Sequence, residues 1–177
     1  AELDDPIAVG DFVATDEDTL IEIDVLANDS DVDGQPLMVV RVGLASHGVV
    51  ITDDKGTPDN RADDRVVYVP DADFNGTDTF SYITMNAAGG DAFAEVTVTV
   101  RPVPDAPQAK TDSGVTREDT STSIYLLTND HDVDGDAVRI LEVANPQHGV
   151  AVVDHGGTPD DPLDDHVIYT PEANFFG

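Results

Sequence analysis

The chain matches itself, and that match sets the size of the folding unit. From Pro6 onward the sequence aligns with itself at an offset of 101 residues without a gap, Pro6 on Pro107 and Gly76 on Gly177. The segment EDT at Glu17 to Thr19 falls on Glu118 to Thr120, and NDSDVDG from Asn28 falls on NDHDVDG from Asn129. HGV from His47, GTPD from Gly56 and YVPDADFNG from Tyr68 recur as HGV from His148, GTPD from Gly157 and YTPEANFFG from Tyr169. About 45% of the aligned positions are identical. A unit of about 100 residues has the size of a sandwich domain and is far longer than a solenoid repeat. The expected domains are therefore 1–104, complete, and 105–177, which holds no counterpart of Thr77 to Val100. Such a sequence reads as a piece of a longer array.

Helical periodicity is poor, and short alternating or β-branched runs between turn signals take its place. Strands are expected at Ile7–Thr15, Thr19–Leu26, Leu37–Leu44, Gly48–Thr52, Arg65–Val69, Thr79–Thr84 and Ala92–Arg101. The fold class is all-β: tandem Greek-key sandwiches of seven strands, the second copy truncated by its last two. A chain that reverses at every loop places its first, third and fifth loops at one end and its second, fourth and sixth at the other. Tyr68, Phe74, Phe80, Tyr82 and Phe93 are placed as core residues.

Composition narrows the function. Acidic residues number 37 against 8 lysines and arginines, a formal net charge of −29. That field repels a phosphate backbone and anionic lipid, so neither nucleic-acid binding nor membrane insertion is expected. No run approaches the roughly 18 apolar residues of a spanning helix, and no basic segment leads into an apolar one as in a signal peptide. A hydrophobic content of 40% argues against disorder. Cysteine is absent, which removes thiol chemistry and thiolate zinc sites.

Many aspartates sit in short clusters with Gly, Pro and Asn, as in calcium loops and on halophilic surfaces. Asp29-x-Asp31-x-Asp33-Gly34 has the spacing that opens an EF-hand loop, and Asp130-x-Asp132-x-Asp134-Gly135 repeats it, followed by Asp136. The twelfth loop position is Val40 or Leu141 rather than glutamate, and the flanks are strands, so this is no EF-hand. A polar turn that binds nothing would use the same letters; the second copy favours calcium, a hard cation that takes six to eight oxygens. Two carboxylates about 5 Å apart repel by roughly 3 kcal/mol at an effective dielectric of 20, so such a loop opens unless cations or protons intervene. A second constellation is distributed. Glu17 and Asp18 fall on the first loop and Asp71, Asp73 and Asp78 on the fifth, at the end from which the chain leaves the domain. Asp105 follows in the linker VPDAP, and Asp132 and Asp134 lie on the second loop of the next copy. Calcium ions are thus expected at the junction of neighbouring repeats.

The ordered set EDT, LxNDxDxDG, HGxV and YxPxxxFxG, closed by a valine–threonine strand and an Asp-x-Pro linker, resembles the cadherin-like or Ig-like tandem repeats of large bacterial surface adhesins. The resemblance implies an extracellular sandwich at the bacterial cell surface, calcium between repeats and a structural or adhesive role, with cell-surface glycans or proteins as adhesive partners. The linker carries fewer acids than the DxNDN of cadherins. No GxSxG, HExxH or Walker loop is present, and paired carboxylates in polar loops lack the apolar pocket a glycosidase acid needs, so no enzyme is expected. The histidines read as turn or loop residues. The reading is a calcium-binding spacer forming a rigid stalk; the alternative is a carbohydrate-binding module of a polysaccharide-active extracellular enzyme.

Overall fold

The computed structural model describes residues 4–57, 61, 63–157 and 161–177. The chain divides into two compact units, Ala1–Val103 and Pro104–Gly177. The first unit contains β1 (Asp11–Asp16), β2 (Ile21–Ile23), β3 (Leu37–Val42), β4 (Gly48–Asp53), β5 (Arg65–Pro70), β6 (Gly76–Asn86) and β7 (Asp91–Arg101). All seven expected strands are present, with shifted ends. The first starts at Asp11 because Ile7 bridges Ser30 instead. The second keeps only three residues, since the chain turns after Ile23. The sixth extends to Asn86, where a tight hairpin begins. There the Asn86 side chain accepts the N–H groups of Ala88 (3.1 Å) and Gly90 (2.9 Å), and Gly89 takes φ +92°, which glycine adopts without steric cost.

The strands form one sheet of order β1-β7-β6-β3 and another of order β2-β5-β4. β1 and β7 run parallel, Asp11 opposite Val96 through Asp16 opposite Arg101, as strict reversal at six loops requires. The other ladders are antiparallel, with a bulge in β3 between Val39 and Arg41. Alternation along each strand sends one set of side chains between the sheets. Val66, Tyr68, Tyr82, Val96 and Val98 are fully buried there, and each valine stabilises the unit by about 1.5–3 kcal/mol. One expected core residue is misplaced. β7 buries Ala94, Val96, Val98 and Val100, so Phe93 belongs to the opposite parity and stands 65% exposed on the outer face.

The second unit reproduces half of this architecture. β8 (Thr122–Ile124), β9 (Gly149–Asp154) and β10 (His166–Pro171) form a sheet of order β8-β10-β9. Each strand lies 101 residues after its counterpart β2, β4 or β5, and the register repeats: Val167 opposite Ile124 as Val66 is opposite Ile23. His166, expected in a loop, opens β10 where the first copy has Arg65. No strand forms at residues 112–117 or 138–143, the counterparts of β1 and β3. The reason is pairing. β1 hydrogen-bonds only to β7 and β3 only to β6, and this sequence carries no second copy of either. Leu141 and Val115, at 88% and 94% exposure, are left in solvent. The GTPD motifs run into residues 58–60 and 158–160, outside the described residues. Hydrogen exchange followed by NMR should therefore find amides 37–42 protected and amides 138–143 exchanging orders of magnitude faster; equal protection would show that the second copy builds its other sheet from elsewhere.

Candidate metal centre

The loop between β2 and β3 carries Asp29, Asp31, Asp33 and Gly34, the last at φ +71°. Among the described residues its three carboxylates do not gather about one point; they reach to different targets. Asp29 accepts the N–H of Val9 at 2.8 Å and the hydroxyl of Tyr82 at 2.9 Å, and burial pushes its pKa up. Asp31 accepts the N–H groups of Asp33 and Gln35, both at 3.0 Å, and the Asn86 amide at 2.9 Å. The Gln35 N–H, then Asn86, hold Asp31 below the usual carboxylate range. Asp33 accepts the N–H of Asp4 at 2.8 Å. The loop therefore clasps the incoming segment, Asp4 to Val9. The repulsion expected among these acids is answered by backbone N–H groups.

The second copy repeats the clasp. Asp130 accepts from Lys110 N–H at 2.7 Å and Asp134 from Asp105 N–H at 2.7 Å. Asp132 accepts from the amides of Asp134 and Asp136 at 3.0 and 3.3 Å. Asp136 thus contributes its amide to this network.

The opposite end of the first unit brings the first and fifth loops together, as the alternation argument requires. Asp18, at φ +55°, accepts the N–H of Asp73, itself at φ +58°, at 3.3 Å. Asp119 and Asn174 repeat the pair at 2.9 Å. Aspartate and asparagine tolerate this left-handed geometry better than most residues. Glu17 is 3% exposed and accepts the N–H of Val103. Its own N–H donates to Arg101 O at 2.9 Å, so it fastens the departing strand. Asp71 is exposed and donates its N–H to His47 O at 2.9 Å. The ring of His47 stacks on Phe74 at 4.3 Å, as His148 does on Phe175. The adjoining glycines have a steric reason. A Cβ on Gly48 would lie 2.6 Å from both the Tyr68 ring and Val69 O, and one on Gly149 meets Tyr169 and Thr170 in the same way.

Asp78 requires a correction. It sits on β6 rather than on the fifth loop and is 4% exposed. Its oxygens accept from Ser46 N–H (3.1 Å), His47 N–H (2.8 Å), Thr79 N–H (2.9 Å) and the Tyr68 hydroxyl (3.0 Å). Burial raises its pKa, but those donors outweigh burial and hold it low. With its lone pairs committed, Asp78 is a buried fastener of the β3–β4 loop and no longer a candidate ligand. Asp29 and its counterpart Asp130 each accept a backbone amide, as Asp31, Asp33, Asp132 and Asp134 do, and stay in the candidate set. The remaining set is Glu17, Asp18, Asp29, Asp31, Asp33, Asp71, Asp73, Asp105, Asp130, Asp132, Asp134 and Asp136. It is all carboxylate, the donor chemistry that suits calcium rather than zinc.

One cluster escaped the sequence reading. The single proton of the Tyr82 hydroxyl faces Val25 O at 3.0 Å, Val9 O at 3.2 Å and the Asp29 oxygens at 2.9 and 3.1 Å. Beside it, burial and then the charge of Asp29 push Asp11 up to about 6. Neither Asp11 nor Tyr82 belongs to a repeated acidic motif, so spacing alone gives no signal for this contact.

A family model described as bacterial Ig domain matches residues 3–99 and again 104–177. No curated protein matches the chain. Among solved structures, the human desmocollin-1 ectodomain is 12% identical at a TM-score of 0.38, over 99% of this chain and 32% of that one. A nucleoside hydrolase-related protein from Saccharophagus degradans is 14% identical at 0.38, over 56% and 26%. The SGBP-B protein of a Bacteroides ovatus mixed-linkage glucan utilization locus is 14% identical at 0.29, over 99% and 42%. The chain thus spans between 26% and 42% of the length of these structures.

Two stability outcomes follow from the buried carboxylates. Asp78→Ala strands three backbone donors, the Tyr68 hydroxyl keeping His47 O at 3.1 Å, and should lower unfolding free energy by about 3 kcal/mol in urea melts, whereas an exposed control such as Asp54→Ala should change it by under about 0.5. The pH dependence has opposite signs at two places. The depressed pKa of Asp78 gives stability that is present above the unfolded value near 3.8 and is lost as pH falls through the folded value. Asp11, raised to about 6, binds its proton more tightly when folded, so its contribution falls as pH rises from about 4 to 6. Asp11→Asn should abolish that decline when melts at pH 4.5 and 7.5 are compared.

Proposed function

The chain belongs to the bacterial Ig domain family, a non-catalytic structural domain type, and from that premise we propose that it is a calcium-binding spacer repeat of a large extracellular bacterial surface protein. The observation that carries the proposal is the carboxylate clasp found in both copies. In each, the acidic loop holds the segment through which the chain arrives, by Asp33 on Asp4 and by Asp134 on Asp105. Glu17 holds the segment through which the chain departs, at Val103. Val103 and Asp105 are two residues apart in sequence, so the peptide joining the copies is fastened on both sides. A repeat that fixes its own connections is what a stiff stalk needs, because a slack linker would let successive domains swing.

Calcium, when bound, supplies the positive charge that lets several carboxylates share a small volume. The residues proposed to hold it are Glu17, Asp18, Asp71 and Asp73 on the departing side, and Asp29, Asp31, Asp33, Asp105, Asp130, Asp132, Asp134 and Asp136 on the arriving side. Hydrogen bonds from backbone N–H groups orient the side chains of Glu17, Asp18, Asp31, Asp33, Asp132 and Asp134 in advance, which reduces the entropy lost on coordination. An affinity on the order of 10⁻⁴–10⁻³ M suits such a module. Localisation outside the cell accords with the usual setting of bacterial Ig domains, and no described helix is long and apolar enough to cross a membrane.

The test is a thermal melt of the chain in EDTA and in 10 mM calcium at matched ionic strength. Binding to the native state at that affinity adds roughly 1.4–2.7 kcal/mol, a rise of several degrees in Tm. Superimposable melts would remove calcium from the account and leave a spacer held by carboxylate–amide bonds alone.

A further inference from the structure

The outer face of the four-stranded sheet departs from what a plain spacer needs. The parity that buries Val96, Val98 and Val100 turns Phe93, Glu95, Thr97 and Thr99 toward water. Phe93 is 65% exposed among them, and what marks it is its place in a row with Ile83 and Arg41 rather than exposure alone. Register places Phe93 opposite Ile83 and Ile83 opposite Arg41, a row of aromatic ring, aliphatic side chain and guanidinium across three strands. In the next row Gly43 donates its N–H to Ser81 O at 2.7 Å, and Ser81 lies opposite Glu95 on β7. The Ser81 hydroxyl lies 2.5 Å from where a Cβ on Gly43 would be, so only glycine leaves this space open. Arg41, Gly43, Ser81, Ile83 and Phe93 line the resulting hollow of about 270 Å³.

Arg41 supplies the positive charge at this hollow. Lys55 is ion-paired with Glu22 and Asp53, Arg65 with Asp24, and Arg101 with Asp16. Among the described residues Arg41 has no such pair, as is also true of Lys110, Arg117 and Arg139, so its fork is open to a ligand. It is an exposed guanidinium beside an exposed ring.

We propose that this hollow binds a carboxylated pyranose, a uronic acid residue of an acidic polysaccharide; the −29 net charge opposes a long polyanion at a distance, but at physiological salt it is screened beyond about 8 Å, and at contact range Arg41 is the charge the carboxylate meets. The C–H face of the sugar ring lies against Phe93 and Ile83. The planar fork of Arg41 takes the carboxylate in the paired geometry that guanidinium favours. The Ser81 hydroxyl and the Glu95 carboxylate take ring hydroxyls, and Glu95 repels a second anionic group on the same ring. A peptide strand fits less well, because the backbone groups beneath the hollow are already paired in the β3–β6–β7 ladders. Phe12, 84% exposed, lies opposite Thr97 on the same face, four residues along β7 from Phe93. At about 3.3 Å per residue that is roughly 13 Å, beyond the reach of one pyranose, so an oligosaccharide long enough to span it has a second ring to rest on and should bind more tightly than a monosaccharide. The site is independent of the calcium reading, since none of its residues belongs to the acidic clusters.

The probe is tri-galacturonic acid, titrated into the ¹⁵N-labelled chain in EDTA so that calcium bridging plays no part, with the neutral trigalactose as comparison. Amide shifts should concentrate at Arg41, Gly43, Ser81 and Phe93 and saturate at millimolar ligand, with the neutral sugar at least tenfold weaker. Arg41→Gln and Phe93→Ala should each weaken binding at least tenfold without moving Tm, because both side chains are exposed. Arg41→Lys should restore only part, since a point charge replaces a fork. Absence of saturable shifts at 10 mM, equal binding of the neutral sugar, or indifference to Arg41→Gln would overturn the proposal. So would shifts at these amides that follow protein concentration in the absence of sugar, which would make the face a contact between copies.

Discussion

The arrangement depends on carboxylate oxygens that accept backbone N–H groups where the ladders stop. A sandwich leaves its loops with donors that no strand satisfies, and a buried orphan donor costs about 1–3 kcal/mol. This chain answers with acids at both ends of the first unit: Asp29, Asp31 and Asp33 at one, Glu17, Asp18 and Asp78 at the other. Each bond joins segments distant in sequence, such as Asp78 with Ser46 and Asp33 with Asp4. The acidity that dominates the composition is thus partly structural. It places the loops before any cation is considered.

The same bonds explain what the second unit retains. Its three-stranded sheet and its clasp survive without the opposite sheet, since Asp130, Asp132 and Asp134 need only local backbone partners. Its counterparts of β1 and β3 do not become strands, because propensity cannot replace a missing partner. Strand existence was legible for all seven positions of the first copy, and the offset of 101 residues located the equivalent loops in the second. Strand ends were less legible: Val9 reads as strand by composition, yet its N–H is taken by Asp29.

For the site, the motif spacing identified the acids but not their work. Alternating aspartates read as a converging cage, and their side chains reach to separate amides instead. Asp78 read as a loop residue because the expected strand began at Thr79, whereas β6 begins at Gly76. Phe93 was available to a stricter use of period two: counting back from Val96 and Val98 puts it outward, and general hydrophobicity overrode the parity. Asp11 and Tyr82 meet only through tertiary packing, 71 residues apart in sequence, and no local pattern announces them. The spacer proposal rests on the acidic ends and the sugar-binding proposal on the outer face of one sheet, so the two draw on different residues.

The central claim is that the acidic ends, once fastened by backbone amides, still have oxygens to offer calcium, while the buried carboxylate does not. Side-chain carboxylate ¹³C NMR during a calcium titration reads this directly. The expected result is saturable shifts, with midpoints on the order of 10⁻⁴–10⁻³ M, at Glu17, Asp31, Asp33, Asp132 and Asp134, and a stationary Asp78 signal. Carboxylate shifts that grow linearly without saturation, or that move Asp78 together with the rest, would contradict it.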